Sequence, residues 1–560
     1  MPLVSAKSAA SCRVMTGAAA AVGQLASEGV QLVLGIPGAH NLHLCDAVLD
    51  EPRLRFVTGR HEQSIAFMAN GYARASGRIA AVFVISGAGV TNSMTALADA
   101  YADSVPMVLL AAAPAKGHIG KGAFHEMKDQ SATLASVTKW SGRIERVAEI
   151  PQAVHTAVAK AYEGRPGPTA VEIPADLQAT TGAATAVPAT EIERPSADAA
   201  SVLRAAELIA AARAPVVVVG GGAARSDCGN ELLELIERFE MACLPTASGR
   251  GLIPDKHPLC LKLQLTASSK GRKLLETADV ALVVGAKLDE ATTGGWSLPL
   301  PSCLIQIDTS AEMIGRAYCA TVSLQGDGKA VLNQLLGALT TGGGQRAPSP
   351  APQIAAIKAA ALAAARRSAT WPYIEVLRRL IRPMTIVAND ASLANFWTLT
   401  HLDRSQPRTL NITRTIAALG YAWPAAIGAK LAYPDRPAVA VGGDGGFLFT
   451  CDALATAVQY ELGVVSLVFN DNCYQTVKRL QSEAFGRHIG VDLVNPDLVA
   501  LAHAYGAAAA RAHTPGELDE VLRDALSRQG PTVIDIPLAV ELVPPVTAQS
   551  RHVRRAAPCP

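Results

Sequence analysis

Short apolar runs rich in β-branched residues recur along most of the chain and alternate with segments of helical periodicity. They include "LVLGIPG", "AAVFVISG" and "PMVLLAAA" early in the chain, "APVVVVGGG" and "VALVVGA" in the middle, and "MTIVAND", "AVAVGGDGG" and "VVSLVFND" later. Continuous apolar strands bounded by Gly, Pro or Asp are typical of parallel sheets covered by helices on both faces. The pattern therefore predicts an α/β fold.

Two segments rich in Pro, Gly, Ala and Ser interrupt this alternation. Residues 184–199 read "ATAVPATEIERPSADA" and residues 341–352 read "TGGGQRAPSPAP", compositions that are typical of linkers. We therefore expect three doubly wound domains with mainly parallel sheets and a polar, basic C-terminal tail. The predicted bounds are 1–183, 200–340 and 370–545 for the domains and 546–560 for the tail.

The composition is that of a core-rich globular protein, and it narrows the classes of partner. Of the 560 residues, 49% are apolar and 18% are charged, and the formal net charge is +2 with acids and bases intermixed. Without a basic stripe, neither nucleic acid nor a membrane surface is an expected partner. The ten cysteines are scattered singly from Cys12 to Cys559, which argues against a zinc site or a disulfide scaffold and favours a cytosolic, cytoplasmic location.

Three other stretches partly match known sequence motifs, but each lacks a feature that its motif requires. Residues 79–98 are uncharged, yet "SGAGVTN" in their middle has turn chemistry, so they predict a strand, a loop and a helix rather than a membrane span. In "VVVVGGGAARSD", Arg225 stands where the dinucleotide fingerprint has a third small residue. Ser86 in "ISGAG" lacks the G-x-S-x-G frame of a serine hydrolase.

Glu62 begins a segment of helical periodicity with an unusually apolar face. Ile65, Met68, Ala69 and Tyr72 follow it at the spacing of one helix face. Acids are common in first turns because the helix dipole stabilises negative charge. A carboxyl group in apolar surroundings also holds a proton more readily than one in water, which suits proton-transfer chemistry. This stretch alone leaves both interpretations open.

Two aspartates follow neighbouring apolar strands in the last third of the chain. Asp444 stands in "VGGDGG", where the glycines let backbone N–H groups approach an anion, and Asp471 stands in "FNDNCYQ". Mg²⁺ prefers hard oxygen ligands and takes only one or two carboxylates when phosphate oxygens and water supply the rest. Either aspartate alone would be interpreted as a loop cap, but the pair predicts a metal-bound diphosphate.

Five motifs at matching spacing resemble the thiamine diphosphate enzymes of the acetolactate synthase and 2-oxo acid decarboxylase family. They are "RHEQSIAFMANGYARASG", "SGAGVTNSMTALADAYADSVPMVLL", "GAFHEMKDQ", "GYAWPAAIGAK" and "GDGGFLFT…FNDNCYQ". The likeness covers essentially the whole chain in the order pyrimidine-binding, middle and diphosphate-binding domain. It implies thiamine diphosphate and Mg²⁺ as cofactors and a 2-oxo acid as small-molecule substrate, with an aldehyde or ketone as an acceptor. A homo-oligomer, dimer or tetramer, is implied because relatives bind the cofactor between subunits.

The resemblance also assigns roles to individual residues. Glu62 matches the acid that hydrogen-bonds N1′ of the pyrimidine and activates the cofactor, which answers the question raised by its apolar helix. Leu419 matches the aliphatic residue under the bend of the cofactor. Asp444 and Asp471 match the Mg²⁺ ligands, together with the backbone carbonyl of Cys473. Many relatives carry Asn at the position of Asp471, so an extra negative charge is expected here.

The remaining cofactor contacts are implied by the same motifs. Around the pyrimidine ring the implied contacts are Gly35, Pro37, Gly38, Gly87, Gly89 and Asn92. Near the diphosphate they are Ser392, Leu393, Ala394, Leu419, Gly443, Gly445, Gly446, Tyr474 and Gln475.

Three positions depart from the acetolactate synthase pattern. His125 stands where those enzymes usually have Gln and other relatives have a histidine used in proton transfer, so we count it as a catalytic candidate. Gln475, the other catalytic candidate, replaces a usual Gly, and Leu480 replaces a specificity tryptophan. His40 and His43 in "PGAHNLHL" are further candidates for the rim of the pocket. These changes predict a substrate larger and more polar than pyruvate.

Three functional interpretations follow. The first is an acetolactate synthase-like enzyme, in which loss of CO₂ from a 2-oxo acid is followed by carboligation to a second carbonyl compound. The second is a simple 2-oxo acid decarboxylase that captures only a proton. The third, a non-catalytic diphosphate-binding homologue, is disfavoured by the intact Glu62, Asp444 and Asp471. FAD is not expected, because "HPLCLKLQLTASSKG" lacks the Gly- and Met-rich stretch that lines flavin in biosynthetic relatives.

Overall fold

A computed structural model of the chain describes residues 12–339 and 348–538. The predicted tail, 546–560, lies outside the described residues. The chain divides into two compact units, residues 1–193 and 194–560. Among the described helices, none is both long enough and apolar enough to cross a membrane.

The first unit is built on one six-stranded parallel sheet and a small antiparallel pair. Its strands are β1 (Cys12–Thr16), β2 (Leu32–Gly35), β3 (Arg55–Thr58), β4 (Ala81–Val84), β5 (Met107–Ala113), β6 (Trp140–Arg143), β7 (Pro168–Pro174) and β8 (Thr181–Thr185). Its helices are α1 (Gly17–Ser27), α2 (Leu42–Ala47), α3 (Glu62–Ser76), α4 (Ala88–Ala102), α5 (Gln130–Ala135), α6 (Ile150–Tyr162) and α7 (Ala175–Ala179). The sheet order is β3-β2-β4-β5-β7-β6, and β1 pairs antiparallel with β8.

Apolar sequence explains the centre of this sheet. All residues of β4, β5 and β7 are buried, as expected for strands covered by helices on both faces. The uncharged stretch 79–98 forms β4, a short loop and most of α4, as its turn residues predict.

The second unit contains two further parallel sheets. The strands of the middle domain are β9 (Pro215–Val219), β10 (Ala242–Pro245), β11 (Val280–Val284), β12 (Cys303–Asp308) and β13 (Val322–Gln325), in the order β10-β9-β11-β12-β13. Its helices are α8 (Ala199–Ala211), α9 (Gly221–Ser226), α10 (Gly229–Phe239), α11 (Ser269–Glu276), α12 (Glu290–Thr293) and α13 (Gly328–Leu339).

The last domain repeats this architecture with six parallel strands. After α14 (Ala351–Ala365) and α15 (Trp371–Leu380), its strands are β14 (Ile386–Asn389), β15 (Leu410–Ile412), β16 (Ala438–Gly443), β17 (Val464–Asn470), β18 (Ala508–Arg511) and β19 (Thr532–Pro537). The other helices are α16 (Leu393–His401), α17 (Ala422–Ala432), α18 (Asp444–Phe449), α19 (Ala453–Gln459), α20 (Gln475–Phe485), α21 (Leu498–Ala504) and α22 (Pro515–Ala525). The sheet order is β15-β14-β16-β17-β19-β18.

The predicted α/β class with three mainly parallel sheets is therefore confirmed. The exact domain limits stay a prediction. Between β8 and α8 the described chain has no helix or strand, which agrees with a linker at 184–199. Helix α14 begins at Ala351, so it overlaps the end of the second predicted linker, and residues 340–347 lie outside the described part.

A buried ionic cluster joins the middle and last domains. The side chains of Arg250 and Asp255 form an ion pair and are both fully buried. The backbone N–H of Arg404 donates to Asp255 Oδ2 at 2.7 Å, and Arg250 Nη1 donates to the carbonyl of Leu399 at 2.8 Å. Removing either charge would leave the other buried without its partner, which is strongly destabilising.

His401 lies beside this cluster and is largely buried. Its burial, followed by the charges of Lys262 and Arg378, lowers the pKa of the imidazole to about 4. Lys262 itself is paired with Asp403, with 2.8 Å between Nζ and Oδ1. His401 is therefore neutral at pH 7, and its ring packs edge-on against Trp371.

Candidate active site

The candidate residues lie where parallel strands end, at the carboxyl edges of two different sheets. In the first unit Gly35 is the last residue of β2, and Gly87 follows β4. In the last domain Asp444 follows β16 directly and Asp471 follows β17. Loops at the carboxyl ends of parallel strands are the usual ligand site of α/β proteins.

Glu62 is the first residue of α3 and is buried, with 9% of its surface exposed. The side chain of His61 caps the helix by accepting a hydrogen bond from the N–H of Gln63. Ile65 and Met68 behind Glu62 are fully buried. Asn92, on α4, donates from Nδ2 to Glu62 Oε2 at 2.9 Å. The acid is thus held in one orientation by a neutral amide rather than by a cation.

Two glycines bring the loop after β4 close to Glu62. A Cβ on Gly89 would lie 3.4 Å from Glu62 Oε1, and a Cβ on Gly87 would lie 2.4 Å from the carbonyl oxygen of His125. Gly87 also has a φ of +64°, which favours glycine. Its N–H donates to Gln130 Oε1 at 3.0 Å. The structure therefore brings Glu62, Gly87, Gly89 and His125 together, while their roles stay a prediction.

The loop that follows β2 is held by a buried asparagine. Asn41 accepts a hydrogen bond from the N–H of Gly38 at 2.8 Å and donates to the carbonyl of Ile36 at 3.1 Å. A Cβ on Gly38 would approach the side chain of Ile85 to 2.6 Å. Gly38 therefore packs against the loop after β4, whereas Pro37 is exposed.

Two histidines and a phenylalanine lie together in the first unit. The rings of His40 and His125 meet edge-on with 5.4 Å between centroids, and Phe124 lies 3.8 Å from the His125 ring and 6.0 Å from the His40 ring. Burial, and next the neighbouring His125, lower the pKa of His40. His43, the other predicted rim residue, is exposed on α2 and not part of this group.

In the last domain the predicted diphosphate residues surround one cavity of about 120 Å³. The predicted residues that line it are Ser392, Leu393, Ala394, Leu419, Gly443, Asp444, Gly445, Gly446, Asp471, Cys473, Tyr474 and Gln475. The other lining residues are Asp390, Ala391, Trp397, Phe469, Thr476, Val477 and Leu538. Widely separated sequence motifs thus meet in one place.

The carboxylates of Asp444 and Asp471 influence one another at the wall of this cavity. Burial raises the pKa of Asp444. Burial, followed by the charge of Asp444, raises the pKa of Asp471 to about 6. Asn495 donates a hydrogen bond to Asp444 Oδ2, and the N–H of Cys473 donates to Asp471 Oδ1 at 3.2 Å. A bound cation would relieve the repulsion between these two acids, so the pair is suited to metal binding.

The donor set fits Mg²⁺ and a diphosphate. Two carboxylates and a backbone carbonyl are hard oxygen ligands, and diphosphate and water oxygens would complete an octahedron. Within 12–339 and 348–538 no group of three or more His, Cys, Asp or Glu side chains converges as a metal site, so a cation here depends on those added oxygens. Ser392 precedes α16, and its Oγ is buried without a hydrogen-bond partner in the described chain. That hydroxyl and the free N–H groups of the first turn are available to a phosphate oxygen.

Gln475 and Leu480, both on α20, differ in their surroundings. Gln475 lines the cavity, and its Oε1 accepts a hydrogen bond from the thiol of Cys473 at 2.9 Å. Leu480 is 53% exposed and is not among the residues that line the cavity. Gln475 therefore adds a polar group to the cavity. Leu480 would affect substrates only if another segment of protein covered it and enclosed it with the cavity.

Sequence reasoning missed three residues that support the site. Asp390 lines the cavity, and Gln130 and Asn495 hold Gly87 and Asp444 respectively. Asp390 follows the apolar run "MTIVAN", so the strand-end pattern that singled out Asp444 could have found it as well. Gln130 is the last residue of the motif "GAFHEMKDQ", which could have singled it out, whereas Asn495 stands in no comparable pattern.

Comparison with known families agrees with this geometry over all three domains. Residues 15–133 match the family model "Thiamine pyrophosphate enzyme, N-terminal TPP binding domain", residues 202–335 match the central domain, and residues 390–536 match the C-terminal TPP binding domain. The chain belongs to the thiamine pyrophosphate enzyme family.

Similar proteins include both synthases and a decarboxylase. A "probable acetolactate synthase large subunit" of Methanocaldococcus jannaschii is 31% identical, covering 95% of this chain and 94% of its own. A "probable 2-ketoarginine decarboxylase" of Pseudomonas aeruginosa is 34% identical, covering 94% of each. Acetolactate synthase isozyme 3 large subunit of Escherichia coli is 31% identical, covering 92% of this chain and 93% of its own.

Proposed function

We propose that this protein is a thiamine diphosphate- and Mg²⁺-dependent enzyme that removes CO₂ from a 2-oxo acid and joins the remaining acyl unit to a second carbonyl compound. The observation that carries the proposal is the pair of aspartates, the buried Asp444 and the half-buried Asp471, at the wall of a cavity whose rim presents Ser392 and Gly443–Gly446. This arrangement supports a metal-bound diphosphate. Bound thiamine diphosphate would supply the nucleophilic carbon that attacks the 2-oxo group.

Glu62 is proposed to be the proton-transferring acid of the reaction. It is buried on an apolar helix face, and within the described part of the chain its side chain is hydrogen-bonded to the neutral amide of Asn92. An acid without a cationic partner can share a proton with a ring nitrogen rather than stay locked as a carboxylate. Leu419, on the wall of the cavity in the last domain, is proposed to support the bend of the cofactor.

A plain decarboxylase is the second candidate, and one observation favours it. His40 and His125 lie side by side in the first unit, and one of them, His125, is near the loop that contains Gly87. Imidazoles are efficient proton donors near neutral pH, so capture of a proton would compete with capture of a second carbonyl compound. The 34% identical relative named as a 2-ketoarginine decarboxylase supports the same outcome.

The experiment that decides between these reactions is product analysis with a graded set of substrates. The purified protein is supplied with thiamine diphosphate and Mg²⁺ and given 2-oxo acids from pyruvate to long, polar ones, with and without an aldehyde or ketone acceptor. CO₂ release with a new carbon–carbon bond supports the synthase, and CO₂ release with only an aldehyde supports the decarboxylase. No CO₂ from any 2-oxo acid, despite cofactor binding, would support a non-catalytic homologue.

Two further parts of the proposal concern assembly and location. We propose a homodimer or homotetramer as the active unit, which light scattering of the purified protein tests directly. The cytosolic location predicted from the scattered cysteines stays part of the proposal, and a fluorescent fusion would test it.

A further inference from the structure

Asp390 is a buried carboxylate that touches three separate segments of the diphosphate cavity. It follows β14 directly and is 3% exposed. Its own backbone N–H donates to the carbonyl of Val441 on β16 at 2.9 Å, which fixes its place at the strand ends. Burial raises the pKa of its carboxyl group to about 6, although hydrogen bonds from the N–H groups of Ala391, Gly420 and Tyr421 act to lower it.

The two oxygens of this carboxylate accept hydrogen bonds from different segments of the chain. Oδ1 accepts a hydrogen bond from the N–H of Ala391 at 2.8 Å, within the loop that leads to α16. Oδ2 accepts a hydrogen bond from the N–H of Gly420 at 3.0 Å, thirty positions along the chain. Gly420 directly follows Leu419, so Asp390 holds the turn that presents Leu419 to the cavity.

The same oxygen also lies against the glycine-rich start of α18. A Cβ on Gly446 would lie 2.4 Å from Asp390 Oδ2, and a Cβ on Gly442 would lie 3.2 Å from Asp390 Cβ. These contacts explain why neither position has a side chain, since any larger residue would push the carboxylate away from Gly420. Asp390 therefore sets the distance between the turn of Leu419 and the segment that carries Asp444.

A second hydrogen bond holds the backbone carbonyl of Gly420. The hydroxyl of Thr450 donates to the carbonyl of Gly420 at 2.7 Å. Gly420 has a φ of +80°, and a Cβ there would lie 2.8 Å from the side chain of Phe449. The turn after Leu419 is thus held at its N–H by Asp390, at its carbonyl by Thr450 and on its remaining side by close packing.

We propose that Asp390 and Thr450 are positioning residues, which together fix Leu419 at the height needed to support the bent cofactor above the Asp444 segment. This inference rests on the proposed function. Neither residue takes part in proton transfer or metal binding. A misplacement of about 1 Å at a reacting group can slow a reaction by about 10²-fold, so loss of either contact should slow the activation of the cofactor more than it weakens its binding.

The test is a double-mutant cycle on the full-length protein with thiamine diphosphate and Mg²⁺. The variants are Asp390→Asn, Thr450→Val, Leu419→Ala and each pair with Leu419→Ala, and the control is Asp524→Asn, which alters an exposed ion pair with Arg528. The N–H groups of Ala391, Gly420 and Tyr421 donate to the Asp390 carboxylate, and Asn keeps its shape but presents an NH₂ group to at least one of them, so at least one contact is lost. Three quantities are measured: the dissociation constant of thiamine diphosphate by calorimetry, the rate of C2–H/D exchange of bound cofactor, and the melting temperature without cofactor.

Positioning predicts a specific pattern of coupling. Asp390→Asn and Leu419→Ala should each slow exchange by about 10²-fold, Thr450→Val should slow it less, and the pairs should be no slower than Leu419→Ala alone. The dissociation constant should change by less than about tenfold in each case, because Ser392, Asp444 and Asp471 remain. The melting temperature without cofactor should stay near that of Asp524→Asn.

Two results would overturn the inference while leaving the proposed function in place. The first is a C2–H/D exchange rate within about twofold of the wild-type rate in both Asp390→Asn and Thr450→Val. The second is a double variant whose rate loss equals the product of the two single losses, which is expected of independent sites. If Asp390→Asn does not fold, Thr450→Val alone decides by the same criteria. Failure of the wild-type protein to bind thiamine diphosphate would instead contradict the proposed function.

Discussion

Asn92 holds Glu62 by a single hydrogen bond, with 2.9 Å between Nδ2 of the amide and Oε2 of the acid. The two residues lie on different helices, α3 and α4, and a Cβ on Gly89 of α4 would lie 3.4 Å from Glu62 Oε1. The acid is oriented without being neutralised. This relationship gives the first prediction a clear physical basis.

Glu62→Gln should leave the fold and cofactor binding nearly intact, because Gln can still accept the hydrogen bond from Asn92. It should slow C2–H/D exchange of bound thiamine diphosphate by about 10²- to 10⁴-fold, the usual contribution of a general acid–base group. Glu163→Gln, which alters an exposed ion pair with Lys160, is the matched control. Exchange at the wild-type rate in Glu62→Gln would show that this acid is not the activating group.

Asp444→Ala should abolish Mg²⁺-dependent binding of thiamine diphosphate, whereas Asp471→Asn should be tolerated. The first change removes an oxygen ligand, while the second keeps one and removes only a charge that Asp444 already disfavours. Calorimetric titration with and without Mg²⁺ measures both. An equal loss in the two variants would mean that the charge at Asp471 is essential, and no loss in Asp444→Ala would place the metal elsewhere.

Gln475→Gly should shift substrate preference towards smaller 2-oxo acids. The wild-type cavity contains the Gln475 amide, and a small substrate would leave buried polar groups unpaired at a cost of about 1–3 kcal/mol each. We therefore expect kcat/KM in the wild type to rise with the size and polarity of the substrate, and this trend to flatten in the variant. If pyruvate self-condensation had the highest kcat/KM of all, the enlarged-pocket hypothesis would be abandoned.

His401→Gln should reduce the loss of stability on acidification. Because the folded-state pKa of His401 is lowered to about 4, the unfolded chain binds a proton there as pH falls below about 6.5 while the folded chain does not. The stabilisation is therefore present above pH 6.5 and is lost as pH falls towards 4, and the part already lost at pH 5 is about 2 kcal/mol. Urea unfolding followed by tryptophan fluorescence at pH 7.5 and 5 measures it.

The control for this prediction is His503→Gln, since His503 is exposed. Its loss of unfolding free energy between the two pH values should equal that of the wild type. A His401→Gln variant with the wild-type pH dependence would show that the imidazole is not kept neutral by its surroundings.

Asp255→Ala should lower the free energy of unfolding by about 3–5 kcal/mol, because it leaves the buried guanidinium of Arg250 without its counter-charge. Asp524→Ala removes an exposed partner of Arg528 and should change stability by less than about 1 kcal/mol. Urea unfolding at neutral pH compares the two. A loss at Asp255 no larger than at Asp524 would mean that water reaches the cluster.

Local sequence patterns predict the framework of this fold because they depend on burial. The runs that form β4, β5 and β16 are apolar throughout, and Asp444 is recognisable because it breaks such a run beside glycines. The contacts that hold the site residues in place depend instead on which distant segments the folded chain brings together. Asp390 and Gly420 are thirty positions apart, as are Glu62 and Asn92, and no spacing rule links residues that only a crossover helix brings together.

The paired strands β1 and β8 have a consequence for the construction of the first domain. Cys12 lies opposite Thr185 and Thr16 opposite Thr181, so the polypeptide enters and leaves this domain side by side. Neighbouring ends are the geometry that domain insertion and circular permutation require. The first domain is accordingly suited to transfer as a unit, or to joining of its two ends by a short connector, without a break in any strand of its main sheet.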